Sequence, residues 1–247
     1  WTTLARSQWL DLPPPKVLPA QMSSGFAIGK PVTAELFVSR IERADILPRD
    51  FSVITSDSCL FVDGLVNWPQ YFAQRGAFSR FASDDLRVLL DLPRKTQTFD
   101  GTCAILGGAG DHFAWMYECL ARLWVLDQQP DGASLPLVIP ESLSADRLAM
   151  LEAIGVSPGR LVRLADDHVL AARKVVVPSL LTVGDWVSPL ALQFLRRKFT
   201  TKPGLQRRRL YLSRTGTAHT RLANEHEVLP RLIRHGFEVI DISENSQ

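Results

Sequence analysis

At 247 residues, 46% hydrophobic and 22% charged, the chain has the make-up of a folded globular protein rather than a disordered or fibrous one. A chain of this length buries roughly 70% or more of its unfolded surface, so it needs no disulfide or metal staple. The net charge of +2, from 28 basic and 26 acidic residues, argues on the total alone against a general polyanion binder.

Residues 1–31 carry Pro13-Pro14-Pro15 and Pro19, with scattered Ser and Gly. They read as an extended, surface-hugging lead-in. Residues 32–100 open with β-type runs at Val32–Val38, Phe51–Thr55 and Cys59–Val62, which read as a small antiparallel meander. A helical connector is expected over Ser83–Leu90, with Ser83 as N-cap and Asp84 and Asp85 in the first turn.

From residue 101 to about 200 strands and helices alternate. Thr102–Leu106 predicts a strand ending in Gly107-Gly108-Ala109-Gly110, followed by a helix from Asp111 to Asp127. Strands are then expected at Leu135–Ile139, Leu161–Leu164 and Lys174–Val177, with helices at Ser144–Ile154 and Pro189–Phe199. Gly155 follows the first of these helices as its stop. Residues 201–247 predict a single β-α-β unit: strand Arg209–Ser213, helix Asn224–His235, strand Phe237–Ile242. The alternation predicts an α/β fold with a parallel sheet. The last unit either opens a second domain or completes the first sheet.

Charge is not spread evenly along this order. Trp186 to Asn224 holds nine basic residues and no acid, while the rest of the chain sums to −7. Such a block asks for an anionic ligand. Arg207-Arg208-Arg209 with Arg196, Arg197 and Lys198 could form a nucleic-acid patch. There is little aromatic interleaving and no helix-turn-helix or finger spacing, so these charges read as a solvated linker and no nucleic acid is expected.

Two segments carry the candidate chemistry. After the glycine turn, Asp111, Trp115, Glu118 and Arg122 recur at helical spacing. A partly buried carboxylate there would serve as a general base. The plainer alternative makes Asp111 an N-cap and Glu118–Arg122 an i, i+4 ion pair. In the second segment a strand delivers Arg214 to its carboxyl end, a Thr/Gly loop containing His219 follows, then Arg221 and a helix starting at Asn224-Glu225. Ligands in open α/β sheets bind beyond the strand carboxyl ends, and paired guanidinium forks suit a diphosphate. The alternative is a solvated basic loop. The five histidines make no metal motif and there is no Gly-x-Ser-x-Gly elbow, so neither a metal site nor a serine hydrolase is indicated. Three cysteines without CxxC spacing point to a reducing compartment. No apolar run reaches the length of a membrane span.

Asp111-His112-Phe113-Ala114-Trp115-Met116-Tyr117-Glu118 through Leu123 resembles a helix start of glycosyltransferase family 61. Leu210-Tyr211-Leu212-Ser213-Arg214 and Arg221-Leu222-Ala223-Asn224-Glu225 resemble its strand-loop-helix motif, with Gly236–Val239 fitting downstream. Ala114 stands where the family commonly has His, and Asp111 where it has Asn. The family would also continue beyond Gln247 with more of a second domain.

The resemblance implies a GT-B-like Rossmann-type domain with a small N-terminal β-meander and the start of a second Rossmann-like domain. It implies an inverting, metal-independent glycosyltransferase, with a nucleotide-sugar donor and a glycan acceptor between the domains. Glu118 would be the base, with Asp111 its substitute. Arg214 and Arg221 would hold the donor diphosphate, with Asn224 and Glu225 capping and orienting the loop. His112, Trp115 and His219 are further candidates. No cofactor is expected. A bacterial role in capsular or other surface polysaccharide synthesis is implied, in the cytoplasm and peripheral to the inner face of the membrane. The alternative is a non-catalytic nucleotide- or glycan-binding module of the same fold. The sequence sets no oligomeric state.

Overall fold

A computed structural model describes residues 2–7, 35–61, 79–82, 88–108, 111–183, 186–199, 208–213, 222 and 224–241. By internal contacts the chain divides into two compact units, Trp1–Phe199 and Thr200–Gln247.

The first unit is built on an eight-stranded mixed sheet. Its first five strands in chain order are β1 (Thr2–Ala5), β2 (Leu36–Ile46), β3 (Val53–Ile54), β4 (Leu60–Phe61) and, after a separate hairpin of β5 (Ser79–Ala82) and β6 (Val88–Leu90), β7 (Lys95–Ile105). The other three are β8 (Leu137–Pro140), β9 (Leu161–Leu164) and β10 (His168–Pro178). The order across the sheet is β4-β3-β2-β10-β7-β8-β9, with β1 also on β2. β7 runs parallel to both β10 and β8, and β8 is parallel to β9. β2 joins this parallel half antiparallel to β10, and β3 and β4 extend the antiparallel side. The chain is therefore α/β, with the antiparallel meander fused edge-on to the parallel strands.

Strand periodicity sorts the core onto two faces. Ala104 and Leu106 of the β7 segment, with Leu137 and Ile139 of β8, pack on one face with Trp115, Leu120, Leu123 and Leu126. Cys103, Ile105 and Val138 pack on the other with Ile46, Val53, Leu170 and Val175. Successive residues thus alternate faces, as a pleated strand requires. Near-continuous apolar runs such as Leu-Val-Ile in β8 follow from burial on both sides.

The helices of this unit are α1 (His112–Ala114), a π-helical stretch Trp115–Leu120, α2 (Arg122–Asp127), α3 (Ala145–Ala153) and α4 (Pro189–Phe199). Gly155 ends α3 at φ +92°. A short hairpin of β11 (Thr182–Val183) and β12 (Trp186–Val187) precedes α4. The second unit holds β13 (Arg209–Ser213), α5 (Glu225–Arg234) and β14 (Phe237–Asp241), with β13 and β14 paired in parallel. This is the β-α-β unit expected from the sequence.

Several expectations are corrected. The first residues are not a mere lead-in, because Thr2–Ala5 pairs with Leu36–Val38; the remainder of that stretch lies outside the described residues. The end of the expected helix Ser83–Leu90 is a strand, since Val88–Leu90 pairs with Ser79–Ala82. Hydrogen bonding to a neighbouring segment there outweighs local helix propensity; Ser83–Arg87 lie outside the described residues. β7 and β10 are each eleven residues long, well beyond Thr102–Leu106 and Lys174–Val177. Polar positions such as Thr96, Thr98 and Arg173 interrupt the apolar pattern and hid these extensions, although Val169, Leu170 and Ala172 of β10 are buried.

Candidate active site

The glycine turn leaves the sheet at the carboxyl end of β7, where the strand order reverses between β8 on one side and β10 on the other. Such a reversal opens a crevice for ligands in α/β sheets. Both Leu106 and Gly107 donate their N–H to the Val138 carbonyl, at 3.2 and 3.1 Å. Gly107 takes φ +86°, a conformation few other residues adopt. Gly108 is glycine for space, since a Cβ there would lie 2.4 Å from Pro140 Cγ.

Asp111 opens the helix as its N-cap, accepting the Ala114 N–H on Oδ1 at 2.8 Å. Its capping duty is the role the plainer sequence reading gave it. His112 follows, exposed. Phe113 is also exposed, and its ring lies 4.9 Å from that of Tyr117, tilted by 56°. Trp115 is fully buried in the core against the sheet, and its indole N–H has no hydrogen-bond partner among the described residues.

The next residues adopt π geometry from Trp115 to Leu120. A π segment changes the angular spacing of side chains and is frequent at functional sites. The predicted single face of Asp111, Trp115, Glu118 and Arg122 is therefore not one surface. Asp111 is exposed, Trp115 buried, Glu118 partly buried and Arg122 buried. Glu118 sits in the middle of the π stretch. Burial raises its carboxyl above the usual range, Arg122 pulls it down, and Asp111 adds a smaller upward push. A carboxylate raised by desolvation and still ionisable is what general-base chemistry calls for.

The plainer of the two sequence readings makes Arg122 an i, i+4 ion-pair partner of Glu118. Arg122 is instead buried, and its Nη1 donates to the Leu106 carbonyl at 3.2 Å. Burial lowers its proton affinity, opposed by the negative charge available at Cys119 and Glu118. Arg147, on α3, also reaches this region. Its guanidinium lies over the Trp115 ring, 5.4 Å from the centroid, and donates to the Asp111 carbonyl at 3.4 Å. Nothing in the local sequence signals this, because Arg147 meets the helix start only through the packing of α3 beside it.

At the far end of the same helix, a cleft of about 380 Å³ is lined by Trp124, Asp127, Gln128, Phe194, Arg197 and Lys198. Arg197 and Lys198 occupy the last turn of α4, where cations offset the helix dipole. This cleft is separate from the glycine turn and from Glu118.

In the second unit, Asn224 stands at the N-cap position of α5 but makes no side-chain capping bond. The Glu227 N–H, which such a cap would take, is held instead by the Asn224 backbone carbonyl at 3.0 Å, and the Glu225 N–H by the Leu222 carbonyl at 3.2 Å. Glu225 is buried and hydrogen-bonds the Tyr211 hydroxyl of β13. Burial, that bond and the Glu225 charge all raise the phenol's proton affinity. Arg214, His219 and Arg221 lie outside the described residues.

Among the described residues, no group of three or more His, Cys, Asp and Glu could hold a metal ion, and no helix is long and apolar enough to cross a membrane. Cys59, Cys103 and Cys119 form no disulfide with one another. A family model described as Glycosyltransferase 61 matches residues 112–246. Comparisons with curated proteins and with solved structures return no match.

Proposed function

Because the chain belongs to glycosyltransferase family 61, we propose that it transfers a sugar, with inversion, from a nucleotide-sugar donor to a glycan acceptor. The observation that carries this reading is Glu118: a partly buried carboxyl in a π-helical turn, raised by burial and moderated by Arg122. It lies on the helix that follows the glycine turn, inside the matched region.

In the proposed reaction the Glu118 carboxylate takes the proton of an acceptor hydroxyl as that oxygen attacks the anomeric carbon. The bond from the anomeric carbon to the diphosphate oxygen breaks, and the diphosphate leaves with its electron pair. Arg214 and Arg221 neutralise the developing charge by bidentate bonds, the role a metal ion plays in other transferases. Asp111 is assigned to the helix cap rather than to proton transfer, which resolves the two carboxylates into separate roles. Asn224 and Glu225 complete the donor side, with Glu225 acting through its bond to Tyr211. The natural setting we propose is surface-polysaccharide synthesis at the cytoplasmic face of a bacterial membrane.

The donor half of this proposal is tested by calorimetry with UDP and GDP on the full-length protein. Arg214→Ala and Arg221→Ala should each weaken binding of the recognised diphosphate by ten-fold or more, a loss of about 1.4 kcal/mol. Unchanged affinity in both variants would remove the diphosphate role. Diphosphate binding without any turnover would favour a non-catalytic module, for which Ala114, in place of the family's usual His, is the motivating departure.

A further inference from the structure

Arg122 is a charged side chain 8% exposed in a largely apolar layer. Its Nη1 donates to the Leu106 carbonyl, the last carbonyl before the glycine turn, at 3.2 Å. The same Nη1 would lie 3.1 Å from a Cβ on Gly107, and Cys119 Sγ 3.7 Å from it. The left-handed Gly107 and the buried guanidinium therefore occupy one shared space between β7 and the π segment. Removing a guanidinium from water is expensive, and a well-packed apolar side chain would hold two layers together at lower cost. A fork tied to the turn on one side and one helical turn from Glu118 on the other has a use that an apolar residue lacks.

We propose that Arg122 is a positioning residue for the acceptor-activating carboxyl: it ties the π turn bearing Glu118 to the glycine turn after β7 and sets the electrostatic surroundings of that carboxyl. The inference rests on Glu118 being the base. Asp111 and Arg122 face Glu118 from its own helix. From α3, Arg147 reaches the Asp111 carbonyl. α4 packs against the π stretch and carries Arg196, Arg197 and Lys198 in its last turn. Of these, Arg122 is the opposite charge that acts on Glu118, and it opposes the effect of burial.

The experiment is a pH–rate profile of the full-length protein, read as UDP or GDP release from the nucleotide sugar it turns over. Wild type is compared with Arg122→Lys, Arg122→Gln, Gly107→Ala and Glu118→Gln. Arg122→Gln should lower kcat at least ten-fold and move the acid limb upward by roughly one pH unit, as loss of a nearby opposite charge dictates. Arg122→Lys should keep the limb in place and recover part of kcat. Gly107→Ala, which pushes on the guanidinium without changing its charge, should lower kcat while leaving the limb near its wild-type position. UDP or GDP affinity should stay within two-fold throughout. A wild-type limb and kcat in folded Arg122→Gln would overturn the inference, as would a wild-type kcat in Gly107→Ala should Arg122→Gln fail to fold. If Glu118→Gln is inactive while the Arg122 and Gly107 variants behave as wild type, only the positioning role falls. Full turnover by Glu118→Gln overturns both roles.

Discussion

Gly108 and Pro140 stand so close that a Cβ on Gly108 would lie 2.4 Å from Cγ and 2.5 Å from Cδ of the proline ring. The contact joins the turn after β7 to the end of β8, the parallel neighbour across which Ile105 faces Val138. It constrains the path of the chain at Gly108, since neither a proline ring nor a strand end yields easily.

Gly108→Ala should therefore cost about 1–3 kcal/mol, the usual range for overpacking a closed site. Urea denaturation would show this as a lower midpoint at unchanged slope. A midpoint equal to wild type would mean that the turn shifts without penalty.

Asp111 is a cap, and its substitutions should behave accordingly. Asp111→Ala should destabilise by about 1 kcal/mol, whereas Asp111→Asn should hold stability, because an amide oxygen caps as well as a carboxylate. If Asp111 takes no proton, Asp111→Asn should also retain most of the turnover. A loss of transfer in that variant with stability intact would return Asp111 to candidacy as the base.

The part of the fold that the sequence made legible is the part governed by local pattern. Leu161–Leu164, Pro189–Phe199 and Arg209–Ser213 form with the limits that their apolar periodicity, proline start and flanking turns set. Gly155 and Gly236 end their helices at positive φ, as glycine stops do. What stayed hidden depends on partners distant in sequence. Thr2–Ala5 becomes a strand only because β2 offers an edge, and Val88–Leu90 because Ser79–Ala82 lies opposite. The candidate site divides in the same way. Asp111 as cap is the plainer of the two alternatives that the motif leaves open, and the partial burial of Glu118 is the condition that the other one sets. The burial of Arg122 does not follow from the motif, because i, i+4 spacing reads as an ion pair until the π stretch and the approach of Leu106 take the guanidinium inward.

The raised Glu118 pKa has a consequence for stability with a definite sign. A carboxyl that holds its proton more tightly when folded makes folding most favourable when protonated. Its stabilising effect is fully present below the unfolded carboxyl pKa and is lost as pH rises through the higher folded value. At neutral pH the ionised, partly buried group is a net cost, so Glu118→Gln should raise Tm there. The gain should shrink as pH falls through the raised folded value and be gone below the ordinary carboxylate pKa. Thermal unfolding at several pH values would show it, and a lower Tm for Glu118→Gln at neutral pH would contradict the assigned burial.

Tyr211 and Glu225 tie β13 to the first turn of α5. Tyr211→Phe, which removes the donor of that bond, should lower the Tm. In a double-mutant cycle with Glu225→Gln, the two changes should be clearly non-additive. Additive losses would show that the pair does not act as a unit.

Glu118 is the group proposed to activate the acceptor hydroxyl in the glycosyl transfer. The most direct measurement is acceptor-dependent release of nucleoside diphosphate from a panel of UDP- and GDP-sugars by the full-length protein and its Glu118→Gln variant. Wild type should turn over at least one donor, and the variant should lose a hundred-fold or more, as removal of a general base entails, with diphosphate binding retained. Near-normal turnover by Glu118→Gln would contradict that role.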